Sequence, residues 1–170
     1  MNLQDHIRTV PDFPKPGIQF RDVTPLLLHA DAFAETVRQL AATPGTFDLV
    51  AGIDARGFIF GAGVARALGV GFLPVRKAGK LPGAVMRREC ELEYGSAALE
   101  VPQGLVEAGQ GVLLVDDLIA TGGTAVAAVE LLREAGLRVE AAAFVVELRE
   151  LMGMTRLRAL DVPARGLVAY

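Results

Sequence analysis

The chain alternates short apolar runs with amphipathic stretches, and this rhythm predicts strands separated by helices. Residues 48–53, 70–75, 111–115 and 139–146 are almost uninterrupted apolar runs of strand length, the pattern of strands buried on both faces. Between them, residues 31–42 place Phe33, Val37 and Leu40 at helical spacing and stop before Pro44-Gly45. Residues 57–68 read as a second helix after a tight turn, and 125–135 as a third, closed by Gly136. Beyond a short first helix, the opening 25 residues are broken by Pro11, Pro14, Pro16, Gly17 and Pro25 and are expected to be irregular. Residues 76–94 are charged and glycine-punctuated. Alternating apolar positions at their end (Leu92, Tyr94, then Ala98 and Leu99) suggest a long hairpin or mobile flap.

Strands that alternate with helices imply an α/β fold: a central, mostly parallel β-sheet flanked by helices. One domain over residues 1–170 is expected at this length. Ligands in such sheets bind beyond the carboxyl ends of the strands. Three of those ends carry polar turns: Asp54-Ala55-Arg56, Arg76-Lys77 and Asp116-Asp117. They are expected to converge on one crevice.

Composition narrows the ligand. With 52% hydrophobic residues the chain can bury a core without disulfides or metals. A net charge of -3 gives no general attraction for nucleic acid or an anionic membrane. An anionic ligand must therefore be held by a local site. The single cysteine, Cys90, excludes an intrachain disulfide and reads as a bystander thiol in a reducing compartment. Residues 118–129, the longest uncharged stretch, fall short of the roughly 20 residues of a membrane helix. Residues 1–10 lack the apolar centre of a signal peptide. The chain is expected to be soluble and cytoplasmic. His6 and His29 have no second ligand or acid at useful spacing and read as incidental.

Residues 112–124 carry the most chemistry. The run Val112-Leu113-Leu114-Val115 forms a buried strand, and Asp116-Asp117 falls at its carboxyl end. The loop Ala120-Thr121-Gly122-Gly123-Thr124 then opens a helix. Its glycines let backbone approach a ligand, and free N–H groups with two threonine hydroxyls form a phosphate cradle. Carboxylates one turn away can accept hydrogen bonds from two ribose hydroxyls. Phosphate and cis-diol on one strand–loop–helix unit describe a ribose 5-phosphate. An apolar strand ending in Asp-Asp also occurs in nucleotide triphosphatases and response-regulator receivers. The chain has no G-x-x-x-x-G-K-[ST] loop, and its acidic pair stands on a late strand rather than the first.

This segment resembles the 5-phosphoribosyl 1-diphosphate (PRPP) motif of the type I phosphoribosyltransferases, in the form D-D-x-x-A-T-G-G-T of their adenine branch. Residues 10–27, with Phe20-Arg21-Asp22 before Thr24-Pro25, resemble that branch's N-terminal hood, taken as residues 1–30. Residues 52–61 resemble its first-strand loop. Pro74-Val75-Arg76-Lys77, Gly79-Lys80-Leu81-Pro82 and Glu93-Tyr94-Gly95-Ser96 resemble its flexible catalytic loop, taken as residues 76–95. The match covers nearly the whole chain.

The resemblance implies transfer of a ribose 5-phosphate from PRPP to adenine, giving AMP and pyrophosphate, with Mg²⁺ carried by PRPP rather than held directly by the protein. It implies catalytic roles for Glu93, Arg56, Asp116 and Asp117, with Tyr94 beside Glu93. PRPP would be held by Asp116, Asp117, Ala120, Thr121, Gly122, Gly123 and Thr124, with Arg56, Arg76, Lys77 and Lys80 toward the pyrophosphate. Adenine would lie between Phe20 and Leu148, its edge lined by the backbone of Gln19 and the side chain of Arg21. A homodimer is implied as well. The chain departs from the family at Gly153-Met154, where a Gly-Arg pair is usual, which places a surface pairing near the C-terminus in question. Two rivals remain: a phosphoribosyltransferase for another purine base, and a regulator that binds PRPP without chemistry. The hood argues against the first. Against the second, only about 50 residues precede the first core strand, too few to add a DNA-binding domain to the hood.

Overall fold

The computed structural model describes residues 1–91 and 96–170. After a 3₁₀ turn at Leu3–His6, strands β1 (Arg8–Pro11) and β2 (Gln19–Asp22) pair antiparallel in a small ribbon. Helices α1 (Thr24–Leu28) and α2 (Ala30–Ala41) lead into the main sheet. There β3 (Leu49–Ile53) is followed by α3 (Arg56–Leu68) and β4 (Gly71–Lys77). Strands β5 (Val85–Glu91) and β6 (Ser96–Pro102) form an antiparallel pair. Then come β7 (Gly111–Ile119), α4 (Gly123–Glu134), β8 (Arg138–Glu147), α5 (Gly153–Arg158) and β9 (Ala164–Ala169).

The seven strands lie in the order β5-β6-β4-β3-β7-β8-β9. From β4 through β9 every neighbouring pair is parallel, and only β6 runs against the rest, antiparallel to both β4 and β5. Strand β7 shows why the apolar runs are continuous. Val112 and Leu114 enter a core with Ala128, Leu131 and Leu132 of α4. Leu113 and Val115 enter the opposite core, with Leu40 of α2 and Phe60 and Val64 of α3. Both faces are covered, so no position on the strand is free to be polar until it reaches its end. Helix α3 stops at Gly69, whose φ of 71° suits a residue without a Cβ.

Three expectations change. The N-terminal stretch is ordered rather than irregular: Pro11 ends β1 at a ribbon edge, and Pro25 sits in the first turn of α1, where a missing N–H costs nothing. His29 is not incidental, because its Nδ1 accepts the Ala32 N–H at 3.3 Å and caps α2. Met154 is no surface residue. It is 4% exposed and packs in the core that contains Leu157 and Val162, so an apolar contact stands in place of a charged pairing.

The crossing of α3 over β3 relies on a missing side chain. A Cβ on Gly52 would lie 2.7 Å from the Gly57 carbonyl oxygen and 2.7 Å from the Phe72 ring. Gly52→Ala should therefore cost about 2 kcal/mol of stability in a urea titration, the scale of an overpacked core. An unchanged midpoint would show that α3 is free to lift away.

Candidate active site

The carboxyl ends of β3, β4 and β7 are adjacent in the sheet, so the turns that leave them share one crevice. Its volume is about 520 Å³. Asp54, Arg56, Lys77, Asp116, Asp117 and all of 120–124 line it, with Ile53, Cys90 and Leu99 among the apolar wall.

Within β7, Asp116 and Asp117 follow five buried residues, where the apolar run stops. The Asp117 N–H donates to Asp116 Oδ1 at 2.8 Å. Arg56, the first residue of α3, donates from Nε to Asp117 Oδ2 in a short hydrogen bond. The next residue must be glycine for α3 to come this close: a Cβ on Gly57 would sit 2.8 Å from Asp116 Oδ1 and 2.9 Å from the Val115 carbonyl. Burial, then the neighbouring Asp117 charge, push the Asp116 carboxyl well above the ordinary carboxylate value, against hydrogen bonding from the Asp117 N–H.

Asp54 forms a second anionic point. Its Oδ2 lies 3.4 Å from Arg76 Nε, 3.5 Å from Lys80 Nζ and 3.4 Å from the Lys77 backbone N–H. Burial alone would raise this carboxyl. The Lys77 N–H and the Lys80 and Arg76 charges outweigh it and hold the group below its usual value. Arg76 also donates to the Lys80 carbonyl at 3.2 Å, and the Gly79 N–H donates to Glu100 at 2.9 Å, so the turn after β4 is folded back on the cleft.

The loop 120–124 passes into α4 through Gly122, with φ 83°. No side chain caps α4, so the N–H groups of its first turn face the cleft unpaired within the helix. The loop is braced from outside. Gly153 N–H donates to the Ala120 carbonyl at 3.1 Å, and Arg156 donates to the Thr121 carbonyl at 3.2 Å. Gly122 and Gly153 meet backbone to backbone: a Cβ on Gly122 would lie 2.9 Å from the Gly153 Cα.

The structure thus gathers Arg56, Lys77, Asp116, Asp117, Ala120, Thr121, Gly122, Gly123 and Thr124 in one cleft. Arg76 and Lys80 reach it through Asp54. Gln19, Phe20 and Arg21 on β2 and Leu148 after β8 are off its wall, but the Phe20 ring centre is 5.6 Å from Arg56 Cζ, which puts the ribbon at the cleft's rim. Glu93 and Tyr94 lie outside the described residues. Sequence reading placed Asp54 in a polar turn at the crevice but gave it no role, though three cations within a few residues of one another were a signal. It also missed Tyr170, whose ring stacks under the Arg21 guanidinium, with Cζ 3.9 Å from the ring centre. Cys90 is buried, and burial pushes its thiol up, in keeping with an inert group.

A carboxyl raised in the folded state favours its protonated form there. The ligand-free fold therefore loses stability as pH climbs from 3.8 through the raised Asp116 value, and is relieved of that cost below it. Asp116→Asn should stabilise the free protein more at pH 8 than at pH 4, since only the ionised carboxylate carries the cost. Thermal melts of both proteins at the two pH values measure this, and equal gains would refute it.

A family model described as the phosphoribosyl transferase domain matches residues 22–153. An adenine phosphoribosyltransferase of Erythrobacter litoralis is 57% identical over 170 residues, covering 99% of this chain and 96% of its own. That of Parvibaculum lavamentivorans is 52% identical over 172 residues, with 100% and 98% covered. The crystal structure of adenine phosphoribosyltransferase from Thermoanaerobacter pseudethanolicus superposes with a TM-score of 0.93 at 45% identity, covering 99% of this chain and 98% of that one. The Giardia lamblia enzyme complexed with 9-deazaadenine gives 0.93 at 35% identity, with 100% and 98% covered.

Proposed function

The chain belongs to the phosphoribosyltransferase family, and from that premise we infer that it joins adenine to the ribose 5-phosphate of PRPP, releasing pyrophosphate. The observation that carries this reading is the pairing, in one cleft, of an acidic dyad with a glycine-opened helix start, ringed by Arg56, Arg76, Lys77 and Lys80. The near full-length likeness to adenine enzymes supplies the base.

In the reaction the bond from the anomeric carbon to pyrophosphate breaks, and a bond to adenine N9 forms as N9 gives up its proton. The protein's task is to orient two substrates and neutralise a departing anion. Asp116 and Asp117 accept hydrogen bonds from the ribose hydroxyls, and the amides and threonines of 120–124 hold the 5-phosphate. Diol binding gives the crowded carboxylates further donors beside Arg56 and the Asp117 N–H, which they have among the described residues. Arg56, Lys77, Arg76 and Lys80 face the pyrophosphate, the last two exchanging Asp54 for the stronger anion. Phe20 and Leu148 sandwich the base, with the Gln19 backbone and Arg21 at its edge. Glu93 acts beside the base or leaving group, with Tyr94 next to it.

No three His, Cys, Asp or Glu side chains among the described residues group as a metal ligand set. The donors at hand therefore fit an Mg²⁺ ion held mainly by pyrophosphate oxygens and water. When bound, Mg²⁺ would neutralise pyrophosphate and improve it as a leaving group. A homodimer is part of the same proposal. Among the described residues no helix is long and apolar enough to cross a membrane.

Incubation with PRPP, Mg²⁺ and adenine, hypoxanthine or guanine in turn should yield AMP from adenine alone, read by chromatography. Asp117→Asn should raise the KM for PRPP at least about tenfold, the worth of one charge-assisted hydrogen bond. Glu93→Ala should lower kcat about 100-fold with little change in PRPP binding. Tight PRPP binding without nucleotide from any base would sink the enzyme reading in favour of a regulator. IMP or GMP as the main product would change the base.

A further inference from the structure

Tyr170 follows β9 and is not among the residues that line the cleft, yet it contacts the chain neighbours of both residues assigned to the base: Arg21 beside Phe20, and Glu147 and Arg149 on either side of Leu148. Its backbone N–H donates to the Glu147 carbonyl at 2.9 Å, and its carbonyl accepts the Arg149 N–H at 3.0 Å. These two bonds bracket Leu148, whose own N–H donates to the Ile119 carbonyl at 3.0 Å. The Leu148 wall is therefore fixed from β7 on one side and from Tyr170 on the other.

The ring does the same for the opposite wall. It lies 3.9 Å beneath the Arg21 guanidinium carbon, and Arg21 directly follows Phe20 on β2. Arg21 donates from Nη1 to Thr9 Oγ1 on β1, so one edge and one face of the guanidinium are held. Its Nε is buried with no hydrogen-bond partner among the described residues. A half-buried guanidinium with one nitrogen cut off from solvent and unpaired would normally turn that nitrogen toward water. The ring is what it stands on.

We propose that Tyr170 is the positioning residue of the adenine slot: one residue ties the ribbon that carries Phe20 to the segment that carries Leu148, and so sets the gap between them. The inference rests on the reading of Phe20 and Leu148 as the adenine sandwich. The stack needs the aromatic face and not the hydroxyl. The loop 120–124 and the acidic pair are held by α4, Gly153, Arg156 and Arg56, none of which hydrogen-bonds to Tyr170 directly.

The test is a separation of Michaelis constants. In Tyr170→Leu the KM for adenine should rise about tenfold, the scale of a desolvated cation–π contact, while the KM for PRPP stays within about twofold. Tyr170→Phe should restore the adenine KM. Tyr170→Met keeps an apolar side chain of similar reach but removes the flat face, and should repeat the adenine-selective rise should the leucine variant fail to fold. Both constants rising together, neither changing, or the phenylalanine variant failing like the leucine one would overturn the proposal. A wild-type protein that makes no AMP would overturn the underlying reading and this inference with it. AMP from the wild type with an unshifted adenine KM overturns this inference alone.

Discussion

Two carboxylates side by side at the end of a fully apolar strand set the terms for everything around them. Strand β7 is driven into the sheet by burial on both faces, and it carries Asp116 and Asp117 to the bottom of the crevice. Charge there is poorly solvated, so compensation must be built in. The Asp117 N–H supplies part of it and Arg56 another. Arg56 can do so only if α3 starts directly above β7, and α3 can start there only because residue 57 lacks a side chain. Helix placement, glycine and acidic pair are thus one requirement met three times.

The division of labour across the sheet follows. The parallel strands β3, β4 and β7 supply three neighbouring ends, and so a cleft that needs no special loop to be concave. The outer antiparallel pair β5 and β6 adds Cys90, Ala97 and Leu99 to its wall. The rim that carries Phe20 is built differently, on a two-stranded ribbon outside the sheet. Arg8 and Asp22 join β1 to β2 at 2.6 Å, and the Asp22 carboxylate accepts the Thr24 N–H at 2.9 Å where the ribbon turns into α1. Those hydrogen bonds, the Thr24 ones first, hold the Asp22 carboxyl below its usual value.

What was readable from the chain alone was whatever is contiguous. The buried strands announced themselves because their patterns contain no polar position, and the dyad with its glycine loop because thirteen successive residues hold both. Strand β7 runs further than its apolar run, through the acidic pair to Ile119, since ladder bonding to β8 continues where burial ends. The ribbon was hidden by its prolines, which sit where no ladder N–H is needed. Strand β9 and α5 escaped notice because their pattern is mixed and β9 needs β8 beside it. Asp54 takes partners more than twenty residues away, and the bracing of the cradle by Gly153 and Arg156 spans more than thirty. No local rule contains such pairs. Glu93 and Tyr94 rested on resemblance, and they fall outside the described residues.

The contact between Gly122 and Gly153 has a consequence for descent. Here two backbones touch with nothing between them, so a larger residue on either side cannot be accommodated by a smaller one on the other, since neither can be smaller. Most packed pairs can drift by trading volume across the contact; this one has no neighbour in sequence space to step to. A side chain at either glycine would therefore displace loop 120–124 and the first turn of α5 together.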